Sequence, residues 1–470
     1  MKSNEIFKLE ELFKNNFYKV LLTSTEGINY SYGQVWLNAL RLSKHWSGKS
    51  LKEGDRIVFL ISNDLSLLVS YLACAIGGFV AIPINPNSNK KLQKNYIELY
   101  KPSLIITKTF DLIQTEVKRK NVKIEIKFSG EEDFLVINTS GTTGSPKGIC
   151  HSLKNIIGSA INFSSLSGMN NDTVMYHVLP MYYMAGILNT FFSPIMSGGR
   201  IIEGMMFSIS TQFYFWKSCI QYNANFVCLT PTIAMSLCHL AKDTKSAKSK
   251  VANLVSIQST AGVLLDGTRK KFFKTFGKPL QDCYGLTELG GPLTIQHYKD
   301  AVKQYDSGYI SASIQYTLRE DGVFLVNSPF LMKGYITKKG IQNPVLNNSF
   351  FDTGDICEIK NKKLKIIGRS KDTIIRGSEN IAPVIIENEI SAFDFVAEVA
   401  VIGVKHDFWG EAILACVIFK KDTIENQALT SLNSAKLTYK PDNYEVVNSF
   451  PRAAYGKINK NKLKKILSID

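Results

Sequence analysis

The stretch Ile137-Asn138-Thr139-Ser140-Gly141-Thr142-Thr143-Gly144-Ser145-Pro146-Lys147-Gly148 decides how this chain is read. An apolar run at 134–138 precedes it, and a helix is expected to begin near Ser152. Glycine lets a backbone come close to a ligand, hydroxyl and N–H groups hold anionic oxygens, and one lysine neutralises their charge. The segment therefore suits a polyphosphate. A P-loop ends in Gly-Lys-Ser/Thr, whereas this order is Pro-Lys-Gly, so the ordinary P-loop fold is not supported. A surface turn can share the composition, but not this order after a strand.

Working outward, short β-branched runs at 57–61, 104–107, 226–229 and 254–257 alternate with amphipathic segments such as 268–276. That alternation predicts parallel sheets covered by helices. Beyond about residue 300 strands come closer together, with turns at Glu320-Asp321-Gly322, Asn347-Asn348 and Asn361, which predicts a small β-rich subdomain. The polar stretch Gly368-Arg369-Ser370-Lys371-Asp372 divides a domain at 1–368 from an α+β domain at 369–470. A chain of 470 residues is long enough for both.

Two uncharged stretches, 65–84 and 174–199, approach the length of a membrane span. The first carries Ser66, Ser70, Gly77, Gly78 and Pro83, and reads as a buried helix running into a strand. In the second, Pro180 and Pro194 are expected to break the chain into core pieces. No membrane span is predicted. Eight cysteines without CxxC-type spacing suggest neither a zinc site nor a redox pair, and the N-terminus lacks a secretory pattern, so a cytoplasmic protein is expected. The net charge is +16; residues 369–470 hold 14 basic and 13 acidic side chains, leaving +15 on 1–368. Such charge favours polyanionic company, whether nucleic acid, an anionic membrane, nucleotide phosphates or an acidic partner protein, and by itself does not choose among them. No nucleic-acid-binding module accompanies it.

Residues 139–148 resemble the signature loop of the adenylate-forming superfamily, and the resemblance continues in order. It runs through Tyr284-Gly285-Leu286-Thr287-Glu288, Phe351-Asp352-Thr353-Gly354-Asp355, Gly368-Arg369-Ser370-Lys371-Asp372 and Pro451-Arg452-Ala453-Ala454-Tyr455-Gly456-Lys457-Ile458. This likeness implies an α/β fold. The large N-terminal domain would hold two mixed α/β sheet subdomains and a small β-barrel-like one, followed by a small mobile C-terminal domain. It also implies an ATP-dependent, AMP-forming acid–thiol ligase, which makes an acyl adenylate, releases pyrophosphate and passes the acyl group to a thiol.

The resemblance assigns roles residue by residue. Thr139, Ser140, Gly141, Thr142, Thr143, Gly144 and Lys147 would hold the pyrophosphate, and Gly262, Tyr284 and Gly285 would border the nucleotide. Thr287 would contact the α-phosphate, and Glu288 would carry Mg²⁺. Asp355 would accept both ribose hydroxyls beside Arg369. Lys457 would be the catalytic cation, and Lys371 the hinge. Gly377 would line the thiol channel, although Ser378 follows it where many relatives have a second glycine. Taken singly, Thr287-Glu288 reads as a helix start and Asp355 as a turn residue; Lys457 precedes Lys460, Lys462, Lys464 and Lys465 and is unremarkable in composition.

The acid's pocket would be lined by Tyr182, Tyr183, Met184, Gly186, Ala261 and Gly290. Many acyl-CoA synthetases carry His at Tyr183 and Pro at Val263. No acidic residue lies between Asp172 and Glu203 to pair an ammonium, which disfavours an α-amino acid and points to a fatty or aryl acid. Coenzyme A is the expected acceptor. The phosphopantetheine arm of an acidic acyl or peptidyl carrier protein is the alternative, as is a non-catalytic nucleotide binder.

Overall fold

The computed structural model describes residues 2–139, 147–241, 243–302, 306–344, 346–377, 379–452 and 457–467. Two seven-stranded α/β sheets and a seven-stranded antiparallel half-barrel make up the larger part, and a five-stranded sheet follows. In one α/β sheet the order is Gln281–Asp282, Ser256–Ser259, Phe226–Leu229, Val174–His177, Arg200–Glu203, Val20–Thr23 and Asn29–Ser31. All neighbours there are parallel except the last pair. The other contains Asp133–Thr139, Val80–Pro83, Arg56–Phe59 and Leu104–Ile106 as its parallel portion.

The stretch expected to be a buried helix is Leu65–Gly77, capped by the Asp64 carboxylate, which accepts from the Ser66 N–H. It stops at Gly78, in the left-handed region at φ +71, and the strand Val80–Pro83 follows. Its apolar residues face neighbours on nearly all sides, as expected of a helix packed inside a domain. No helix among the described residues is long and apolar enough to cross a membrane.

Three local features differ from expectation. The helix expected near Ser152 is Leu153–Leu166, capped by Ser152, but an unexpected strand, Lys147–Ser152, antiparallel to Asp133–Thr139, precedes it. Ile149, Cys150, His151 and Ser152 are all buried, so no apolar–polar alternation marked that strand. The strand expected at 254–257 is Ser256–Ser259, because Gln258 and Ser259 are buried despite their polarity. Pro194 does not break the chain: Met184–Ile187, a π-helical turn Leu188–Phe192 and Ser193–Met196 run on as one helical stretch. Proline cannot donate to the carbonyl four residues earlier. Here that carbonyl, on Thr190, accepts instead from His177 Nδ1 at 3.1 Å.

Beyond residue 306 the antiparallel half-barrel turns where expected, with Gly322, Asn348 and Asn361 at positive φ. Its strand Lys363–Arg369 leads through the short turn Ser370–Asp372 into Ile374–Arg376 of the last sheet. There Val396–His406 and Gly410–Phe419 form a long antiparallel ribbon backed by the helix Pro383–Ser391.

Candidate active site

A cleft of about 2010 Å³ lies between the strand ends of the larger part and the small C-terminal sheet. Its walls include Lys147, Thr287, Glu288, Asp355, Arg369 and Lys457. Chain segments more than 300 residues apart thus meet in one space.

Asp355 is 2% exposed. Its Oδ2 accepts from the Tyr284 hydroxyl at 2.7 Å and its Oδ1 from Arg369 Nε at 2.7 Å. The antiparallel register sets Asp355 directly opposite Arg369. Burial works against the Arg369 charge, but the Asp355 carboxylate holds its pKa above the ordinary value. Burial, and then the same carboxylate, push the Tyr284 phenol upward.

Glu288 sits in the short 3-10 turn Thr287–Leu289. Three backbone anchors hold that turn: His151 Nε2 donates to the Thr287 carbonyl at 2.7 Å, Gly290 N donates to the same carbonyl at 3.1 Å, and Met332 N donates to the Glu288 carbonyl at 2.8 Å. The Glu288 carboxylate accepts from the Tyr335 hydroxyl at 3.3 Å, and burial raises its pKa. Lys147 Nζ lies 5.5 Å from the Tyr335 ring centroid. Neither Tyr335 nor His151 was singled out in the sequence. Tyr335 arrives because its strand pairs with Ile149 of the Lys147 strand, a contact with no local signature.

Lys457 remains open to the water of the cleft but has protein on most sides. Burial first, and Arg369 second, lower its pKa to about 8, against the opposing pull of Asp372 and Asp355. Lys371, in the turn Ser370–Asp372, lines the same cleft.

Met184, Ala261 and Gly262 line the cleft as expected, and Ala261 does so with φ at +66, a conformation uncommon for a residue with a side chain. Other pocket residues are elsewhere. Tyr182 is buried, its hydroxyl 3.8 Å from Met206 Sδ, and its ring meets Tyr183 edge-on at 4.7 Å; neither belongs to the cleft walls. Gly186 packs against a neighbouring backbone, where an added Cβ would lie 2.1 Å from the Pro180 carbonyl. Gly290 ends the Thr287–Leu289 turn at φ +78, and Gly291 takes its place in the wall. Gly285 also lines the cleft, but its missing Cβ is required by the Gly291 carbonyl, 2.1 Å away.

Gly377 is outside the cleft walls: its N–H donates to the Trp409 carbonyl at 2.7 Å, and Arg376 covers the Trp409 ring. Ser140, Gly141, Thr142, Thr143, Gly144, Ser378 and Gly456 lie outside the described residues, as does the side chain of Thr139.

Residues 13–134 and 127–336 match the AMP-binding enzyme family, and 385–457 match the AMP-binding enzyme C-terminal domain. The 2-succinylbenzoate–CoA ligase of Staphylococcus epidermidis is 24% identical, covering 97% of both chains. The long-chain-fatty-acid–CoA ligase FadD13 of Mycobacterium tuberculosis is 24% identical over 93% of both. Among solved structures, ATP-bound MatB from Rhodopseudomonas palustris superposes with a TM-score of 0.86 at 23% identity, covering 99% of each chain. The fold, the cleft and the family matches at both ends lead to one conclusion: the chain belongs to the AMP-binding enzymes, the adenylate-forming superfamily.

Proposed function

We propose that this protein activates a fatty or aryl carboxylic acid with ATP, forming an acyl adenylate and pyrophosphate, and then transfers the acyl group to the thiol of coenzyme A. The observation that carries the reading is the convergence of Lys147 and Lys457 on one cleft with Glu288 and the Asp355–Arg369 pair. A carboxylate attacking the α-phosphorus brings two anions together, and cations fixed in advance lower that barrier most effectively. Lys457 bridges the acid and the α-phosphate, while Lys147 neutralises the leaving pyrophosphate.

Asp355 orients the nucleotide. A carboxylate has about four acceptor sites, so it can retain Tyr284 and Arg369 while accepting both ribose hydroxyls. The residues also fit a magnesium ion. Glu288 is a mostly buried carboxylate whose side-chain donor among the described residues is the Tyr335 hydroxyl at 3.3 Å, and magnesium commonly takes one or two carboxylates together with substrate phosphates. Glu288 would hold the ion, which when bound supplies charge neutralisation at the phosphates.

The arrangement with Lys457 in the cleft and Gly377 away from it supports a two-stage cycle. Residues 369–470 turn about Lys371 after adenylation, withdrawing Lys457 and bringing Gly377 towards the thiol path. The test is pyrophosphate exchange into ATP across a panel of fatty and aryl acids, followed by thioester formation with coenzyme A. Exchange with some of these acids is expected; none with any acid would leave a nucleotide binder without turnover. The surplus charge of +15 on residues 1–368 supports a second reading, with a carrier-bound phosphopantetheine as acceptor. Acyl transfer to an acidic carrier that weakens with salt, with none to coenzyme A, would select it.

A further inference from the structure

Among the described residues, one residue of the cleft wall and two fully buried residues behind it hold acceptor atoms without donors. Asn189, 1% exposed, belongs to the π-helical turn Leu188–Phe192 and lines the cleft with Met184 and Ala185. Its Nδ2 meets only the Cys228 Sγ, a weak acceptor at 3.9 Å, and its Oδ1 has no partner among the described residues. Turning the amide over would leave its NH₂ unmatched instead.

Cys228 pairs with Gln258 in the parallel sheet. The register of Phe226 and Val227 against Met175 and Tyr176, carried one residue further, sets His177 on its other side. Residues in register share a sheet face, so His177, Cys228 and Gln258 form a row beneath Asn189. Gln258 Nε2 donates to Ser256 Oγ at 3.3 Å, and that hydroxyl donates to Gln281 Oε1 at 2.7 Å. This fixes the Gln258 amide and leaves its Oε1 unpaired among the described residues. His177 Nδ1 donates to the Thr190 carbonyl, burial lowers the ring's pKa to about 4 against the opposing pull of the Thr190 and Leu179 backbone, and Nε2 makes no hydrogen bond of good geometry among the described residues.

A buried acceptor left unpaired is destabilising, and an arriving donor would recover that loss. The donor is uncharged, because residues 173–199 contain no Asp, Glu, Lys or Arg to pair an ion. π-helical turns also recur at functional sites.

We infer that Asn189, backed by His177 and Gln258, reads a neutral hydrogen-bond donor, a hydroxyl or N–H, on the acyl portion of the acid. The inference rests on the acid activation proposed above and narrows it: the preferred acid carries such a donor, rather than a plain hydrocarbon tail or a second carboxylate.

Pyrophosphate exchange by the full-length enzyme, on matched fatty and aryl acids bearing H, OH, OCH₃ or CO₂H away from the reacting carboxyl, tests it. The hydroxyl-bearing acid should exceed its H and OCH₃ counterparts in kcat/KM by about 100-fold or more. In Asn189→Leu that ratio should fall below about 10-fold, with Asn189→Thr, which retains an acceptor, intermediate. Equal kcat/KM across the wild-type set would overturn the subsite, and so would an undiminished ratio in Asn189→Leu with a native melting transition. The wild-type comparison decides alone if the variants do not fold. Exchange without discrimination removes only the subsite, whereas no exchange with any acid removes the activation reading and the subsite together.

Discussion

Lys457 shows how much a single position owes to its surroundings. Its pKa of about 8 means that its positive charge is lost as pH rises through about 8, two units before an ordinary lysine. If that charge drives adenylation, kcat/KM for pyrophosphate exchange falls above about pH 8, and Lys457→Arg moves the falling limb beyond pH 10. Stopped-flow or exchange rates across pH 6.5 to 10 would show it; a flat profile in the wild type contradicts the assignment. Lys457→Ala should lower adenylation by roughly 100- to 1000-fold. Thioester formation from a preformed acyl adenylate should survive, since in the proposed cycle that stage does not use this charge. Equal loss in both stages would contradict the two-stage cycle.

At the scale of elements, the hairpin Gly285–Leu286 against Gly291–Pro292 presents Thr287 and Glu288 to the cleft. A Cβ at position 285 would sit 2.1 Å from a backbone carbonyl that cannot swing away. Gly285→Ala should therefore cost about 1–3 kcal/mol by overpacking and weaken nucleotide binding, read by thermal denaturation with and without ATP. An unchanged melting temperature and ATP affinity would count against that packing role. Two buried histidines brace neighbouring elements: His151 holds the Thr287 carbonyl, and His177 holds the carbonyl freed by Pro194. Both have folded pKa values of about 4 against 6.5 when unfolded. The unfolded chain therefore binds protons that the folded one refuses. Their contribution is complete above about pH 6.5 and is lost as pH falls from there towards 4, by a few kcal/mol each at most. Urea midpoints at pH 7.5 and 5 test this, and replacing both histidines by Asn should flatten the difference.

For the whole molecule, the decisive feature is that the chain passes from the half-barrel to the last sheet within the few residues from Arg369 to Ile374. Lys371→Pro, which restricts that backbone, should leave pyrophosphate exchange close to wild type and slow acyl transfer to coenzyme A. Single-turnover measurement of the two stages separates them, and an unchanged ratio of their rates would remove the hinge from Lys371. Apolar side chains exposed beside the proposed thiol path, Ile375, Phe408 and Trp409, are suited to burial in the second arrangement.

Much of this was legible beforehand. Ordered motifs identified the family, because a loop that is to hold phosphate and a carboxylate that is to accept ribose hydroxyls would each need particular atoms at short sequence range. The buried helix at Leu65–Gly77 and the half-barrel turns were written in local apolarity and in residues that tolerate positive φ. Tyr182, Tyr183 and Gly186, expected as pocket wall, lie outside the cleft walls, since apolar core and apolar lining have the same composition and only packing separates them. The linear chain thus determined its phosphate chemistry. The tertiary structure alone decided that Tyr335 meets Glu288, that His151 fixes Thr287 and that Asn189 lines the cleft with its Oδ1 unpaired among the described residues. Those facts depend on sheet register and on a π-helical turn, which bring together residues that no local spacing relates.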